Sequence, residues 1–210
     1  MKKLLSLLSL FAIVAHTQGQ ELLAKYDFES DAKWLPKWGA GLGSKYAPAT
    51  GWKKPFVVTL EKGDSHSGDA CLKMEILESV PNEKILHTDV FTIPAPDEGK
   101  KVRITICFYV RAQGLAEKSL HLRGLEKDEL NKTLKMVGDS KSLVAIPLNA
   151  EWAEVRWTGT LNPKTRGLMV MLAVTSTDAP AAFWLDDLSV EIAPEPVPVT
   201  TPTPAPTAAQ

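Results

Sequence analysis

Residues 101–112 read KVRITICFYVRA. Val102, Ile104, Ile106, Phe108 and Val110 alternate with Arg103, Thr105, Cys107, Tyr109 and Arg111. An apolar residue at every second position marks a β-strand with one face on a core, because successive side chains leave a strand on opposite sides. The pattern recurs in WAEVRWT, 152–158, where Ala153, Val155 and Trp157 share a face. GLMVMLAVT, 167–175, is apolar on both faces, as a central strand would be. A fourth strand is expected over 182–192, and shorter ones over 22–28, 56–60, 70–78, 85–93, 119–125 and 143–148. Turn-forming residues separate most of them: Lys62-Gly63-Asp64, 94–99, Asn162-Pro163 and 178–180. Many short strands at this spacing predict an all-β, two-sheet antiparallel jelly-roll sandwich. Residues 126–135 alone have modest helical character, and read equally well as a loop.

The 210 residues are 44% hydrophobic, enough for one good core and too few for two ordinary domains. Lys and Arg total 24 against 25 Asp and Glu, so there is no basic footprint for nucleic acid. Residues 1–19 pair Lys2 and Lys3 with an apolar run of about a dozen residues, then Thr17 and Gly19, the order of an export signal. That run is too short to span a bilayer, so no membrane insertion is expected after cleavage, and the chain is expected to be exported. Residues 20–192 form the expected domain. Residues 193–210 carry six prolines among threonines and alanines, an extended, solvated tail with few backbone donors.

Four motifs occur in order along the domain. They are 23–30 (LAKYDFES, then Trp34), 64–73 (DSHSGDACLK), 99–112, and Glu151-Trp152 followed by FWLDDLSV at 183–190. Together they resemble the carbohydrate-binding modules of families 4, 9 and 22, which share a galactose-binding-like jelly roll. The resemblance implies a secreted, non-catalytic module for a poly- or oligosaccharide, working beside secreted glycoside hydrolases. It also implies a structural Ca²⁺ held by Glu29 and Asp186, with Asp27 as a further ligand. If residues 186–192 continue as a regular strand, period two puts Asp186 on the core face with Leu188, Val190 and Ile192. A bare carboxylate there is costly unless a cation or hydrogen-bond donors meet it, and the amides of the SHSG turn are the other way to meet it. Segments 33–56 and 113–143 carry no family signature, so the resemblance does not identify the sugar.

A sugar offers apolar C–H faces and hydroxyls, and its site needs flat rings and hydrogen-bonding groups. Trp34, Trp38, Tyr46 and Trp52 crowd residues 34–52. Trp34 reads as core, and Trp38, Tyr46 and Trp52 as stacking candidates or caps of the sandwich edge. In the implied jelly roll the outer face of 101–112 can floor a cleft. Thr105, Tyr109 and Arg111 there, with His121 and Arg123, would make a polar row across it. The bland account is a solvated sheet face. No nucleophile elbow, zinc-binding or phosphate-loop motif is present. His66, His87 and His121 are dispersed, so catalysis is not expected. The competing readings are an adhesive surface protein, or an accessory domain of a glycoside hydrolase system. Cys71 and Cys107 both read as facing away from their strands' apolar sides. They can bond only if those strands are neighbours in one sheet.

Overall fold

The structure, a computed structural model, describes residues 20–29, 38–43, 45–97, 100–137, 144–146, 148 and 150–195. The expected export signal (1–19), Trp34 and the tail from 196 lie outside these residues. Among the described residues the strands are β1 (Glu21–Tyr26), β2 (Gly39–Leu42), β3 (Lys45–Pro48), β4 (Phe56–Lys62), β5 (Ala70–Ile76), β6 (Lys84–His87) and β7 (Phe91–Thr92), then β8 (Val102–Gln113), β9 (Leu120–Lys127), β10 (Thr133–Val137), β11 (Val144–Ala145), β12 (Ala153–Thr160), β13 (Gly167–Val174) and β14 (Ala181–Pro194).

They pair antiparallel into two sheets. The first runs β12-β8-β14-β5-β4, with β1 beside the second half of β14. The second runs β10-β9-β13-β6-β2-β3, with β11 beside β9 and β7 beside β13. The alternation in β8 sends Ile104, Ile106, Phe108 and Val110 into the space between the sheets, all at most 1% exposed. Leu72, Met74 and Ile76 of β5 join them from the same sheet, and Leu86, Leu122, Val170 and Leu172 from the other. Truncating one such side chain, Phe108→Ala for instance, costs about 3–5 kcal/mol in transfer and cavity terms.

Two sequence expectations need correcting. Residues 126–135 are neither helix nor loop but the end of β9, a tight turn, and the start of β10. Asp128 closes that turn: its Oδ1 accepts from the amides of Leu130 and Lys132 at 2.9 and 2.8 Å. The other correction concerns Asp186. Residues 182–186 and 188–192 are not in one phase, because a bulge between Asp186 and Ser189 inserts an extra residue, with Asp187 at φ 50°. Phe183 and Leu185 face the core before the bulge, and Leu188, Val190 and Ile192 after it. Asp186 therefore pairs with outward-facing Tyr109 and lies on the outer side with Trp184. It is nonetheless fully buried, because residues 64–69 fold over it.

Candidate functional site

The expected polar row is divided between opposite surfaces. Thr105, Tyr109 and Arg111 lie on β8 in the first sheet, and His121 and Arg123 on β9 in the second. The chain crosses between sheets in residues 114–119, so alternation in the two strands points to two different outsides. Period two separates in from out; it does not say which sheet a strand joins.

On the first sheet the three residues are committed to neighbours within the protein. Thr105 meets Thr158 Oγ1 at 3.3 Å across β8 and β12. Tyr109 stacks on His66, ring centroids 3.4 Å apart and 10° from parallel. Arg111 pairs with Asp64 and lies against Trp184 and Trp152, at 4.3 and 5.3 Å from their ring centres. That interleaving of cation and indole covers the sheet and adds roughly 0.5–2 kcal/mol per contact.

The outer face of the second sheet is built differently. Its strand register aligns His121, Ala173, Ile85, Gly41 and Tyr46 in one row, and Arg123, Met171, His87 and Gly39 in the next. Ile85, Met171 and Ala173, with Leu125 and Met169, give the face an apolar floor. Gly39 and Gly41 leave the outer face of β2 bare, while Ala40 faces the core. The Tyr46 ring lies over Gly41, where a Cβ would approach it to 2.6 Å, and the His87 imidazole lies over Gly39 in the same manner. The two rings meet edge to face at 5.9 Å. Tyr46 is 55% exposed, the one large ring the face offers to solvent among the described residues. Beside it, Arg123 reaches over β13 to Glu83 in a two-pronged ion pair, Nη1 to Oε2 at 2.7 Å and Nη2 to Oε1. His121 contacts Thr175 Oγ1 at 3.2 Å through Nε2. Burial, then the Arg123 charge, lowers its pKa below the ordinary histidine value, keeping the ring neutral.

Tyr46, His121 and Arg123 thus share one face, and the other two aromatic candidates do not join them. Trp38 has the parity of Ala40 in β2, so it points inward; it is 2% exposed and packs edge-on against Tyr26 at 5.4 Å. Trp52 stacks on Phe56 at 4.8 Å and donates its Nε1–H to Ala40 O at 3.0 Å, capping the sandwich edge. Trp38 is thus sealed inside, while Trp52 is partly exposed with one ring face held on Phe56. Sequence reading missed His87 and Glu83. The signal for His87 was the Gly-x-Gly of residues 39–41, which leaves neighbouring rings room to lie flat.

Glu29 and Asp186 hold the turn between β4 and β5 from two ends. Asp186 Oδ2 accepts from the amides of His66 and Ser67 at 2.9 and 3.2 Å, and its Oδ1 from that of Asp187 at 2.8 Å. Glu29 accepts from the amides of Asp69 and Ala70. Asp27 Oδ1 faces the Glu29 amide at 3.4 Å. These oxygens are directed at N–H hydrogens, and no three His, Cys, Asp or Glu side chains gather at metal-binding distance among the described residues. Calcium takes six to eight oxygen ligands, backbone carbonyls among them; as placed here, these carboxylate oxygens serve as acceptors for the amides of the turn. Desolvation still raises the Asp186 pKa, with the backbone hydrogen bonds opposing.

Cys71 and Cys107 lie on β5 and β8, which flank β14 on opposite sides. Two strand spacings are about 10 Å, beyond disulfide reach, and both thiols are free. Burial first, then the Asp186 charge, pushes Cys71 up to about 12. Burial and the Glu154 hydrogen bond push Cys107 up to about 11.

No family model and no curated protein matches the sequence. Solved structures do match the fold. The CBM22-1 xylan-binding domain of Paenibacillus barcinonensis Xyn10C superposes with a TM-score of 0.56 at 16% identity, covering 84% of this chain and 97% of that domain. The CBM22-1-GH10 modules of Clostridium thermocellum xylanase 10B, complexed with xylohexaose, give 0.51 at 12% identity, covering 81% of this chain and 28% of that one. The enzymatically active domain of tailspike protein 4 of bacteriophage CBA120 gives 0.52 at 9%, covering 78% and 20%. The fold is therefore the all-β, two-sheet jelly-roll sandwich expected from the sequence. Binding modules and an enzyme domain both contain it, so the activity must be argued from the site.

Proposed function

We propose that this chain binds a poly- or oligosaccharide on the outer face of its second sheet and performs no chemistry on it. The observation that carries the reading is the Tyr46 ring, more than half exposed and laid over the glycine face of β2 beside His87. A flat ring over a flat strand suits the C–H face of a pyranose. Ile85 and Met171 lie beneath the rings and support them, and Arg123, Glu83 and His121 supply donors and acceptors for hydroxyls along one edge. Glu83 is engaged by Arg123, which suits a hydrogen-bonding role better than that of a general acid. In this reading the protein is exported and concentrates a polysaccharide near secreted glycoside hydrolases. The likeness to a xylan-binding domain makes β-1,4-linked chains the first ligands to try. A glycan array on residues 20–195 tests the proposal: at least one β-linked saccharide should bind, and binding should fall with Tyr46→Ala. An array that stays blank with a correctly folded domain overturns it.

A further inference from the structure

The first sheet carries a depression of its own, away from the face just described. Ala182 of β14 lies between Glu75 of β5 and Gln113 of β8, its partners in the two neighbouring strands. A small residue flanked by two longer ones leaves a trough. The alternation along β14 raises Trp184 at one end of it, with Lys73 alongside, and Pro180 closes the other. The space encloses about 310 Å³, at the small end of ligand pockets and suited to a single sugar residue rather than a chain. Its polar groups are a carboxylate, an ammonium and a primary amide. They offer both donors and acceptors, as neighbouring sugar hydroxyls require. The Trp184 Nε1–H has no acceptor among the described residues, although the indole is only 7% exposed.

We infer that the trough between Glu75, Ala182 and Gln113 is a second saccharide site, taking one neutral pyranose unit. The charges set the class, one ammonium meeting two carboxylates. Lys73 is shared between Glu61 at 2.9 Å and Glu75 at 3.8 Å, so no uncompensated cation awaits a uronate carboxylate. The site belongs to the opposite sheet from Tyr46 and stands or falls independently of that surface.

The test is a ¹H–¹⁵N titration of the 20–195 domain with D-glucose, D-galactose and D-xylose, and with D-glucuronate as the charged control. At least one neutral sugar should shift the Trp184 indole N–H and the Gln113 side-chain amide with millimolar affinity. Ala182→Leu fills the trough from an outward position and should weaken that response at least tenfold, while Tyr46→Ala should leave it unchanged. The inference fails if no neutral sugar shifts these signals at 100 mM, if Ala182→Leu responds as the parent does, or if glucuronate binds more tightly than the neutral sugars. Loss of the response in Tyr46→Ala would assign it to the other sheet and likewise overturn the site.

Discussion

Gly68→Ala should destabilise the domain more than Gly63→Ala, though both glycines occupy the left-handed region, at φ 58° and 81°. A Cβ in that conformation costs about 1–2 kcal/mol at either position. At Gly63 the cost ends there, since nothing lies within 4 Å of the added carbon. At Gly68 the carbon would occupy the space of the Glu29 carboxylate. That group is the end of a flexible side chain and can swing away, but doing so abandons the amides of Asp69 and Ala70. Charge-assisted hydrogen bonds at a partly exposed turn, discounted for water as replacement partner, add about 1–2 kcal/mol. Gly68→Ala should then cost about 2–4 kcal/mol, and at roughly 2–4 °C per kcal/mol for a domain this size the melting temperature should fall by about 6–12 °C. Gly63→Ala should lower it by about 3–6 °C on the same scale. Calorimetry of four proteins completes the assay: parent, Gly68→Ala, Glu29→Ala and the double variant. Because both single changes remove the same two hydrogen bonds, the double should cost less than their sum. Equal losses at the two glycines, or strict additivity in the cycle, would refute the argument that Glu29 secures the turn.

Other outcomes follow from the same geometry. Asp186→Asn keeps the shape but turns an amide group toward backbone N–H donors. It should cost about 2–4 kcal/mol, read as a lower urea midpoint. Because amides already satisfy Glu29 and Asp186, EDTA should leave the melting curve in place; a fall of several degrees, reversed by Ca²⁺, would contradict that reading. Intact mass after alkylation of the denatured, unreduced protein should show both Cys71 and Cys107 modified, whereas the native thiols should react slowly at pH 7. The lowered pKa of His121 means that the fold favours its neutral form, so its contribution is intact above the unfolded value near 6.5 and is lost as pH falls below it. Replacing His121 by Gln should flatten the acid side of a melting temperature versus pH curve between pH 7 and 5.

The strands were legible where one face is core and the other is not. β8 has unbroken alternation, and its structure matches the reading nearly to the residue. The hairpin β2–β3 was not legible as strand: its glycines, Lys45 and Pro48 have little β propensity, and pairing with β6 holds it in place. The phase change at Asp186 was invisible for another reason. A bulge depends on how partner strands align, and FWLDDLSV reads as plausibly regular. The candidate site was half legible. Of the residues expected to line a ligand surface, Tyr46, His121 and Arg123 share one face, while Thr105, Tyr109 and Arg111 lie on the other, because sheet membership is set by long-range pairing. Trp38 and Trp52 show that aromatic density in a loop-rich stretch does not distinguish rings that bind from rings that seal an edge.

The central claim is that the second sheet, and not the first, holds the polysaccharide. Isothermal titration with xylohexaose and a panel of β-linked gluco- and galacto-oligosaccharides tests it most directly, comparing the parent with Tyr46→Ala and Tyr109→Ala. A sugar ring covering about 60 Å² of exposed tyrosine contributes about 1.5 kcal/mol, so Tyr46→Ala should weaken binding about tenfold or more. Tyr109→Ala, on the opposite face, should leave the affinity within about twofold of the parent. Binding that survives Tyr46→Ala unchanged, or disappears with Tyr109→Ala, would contradict the account.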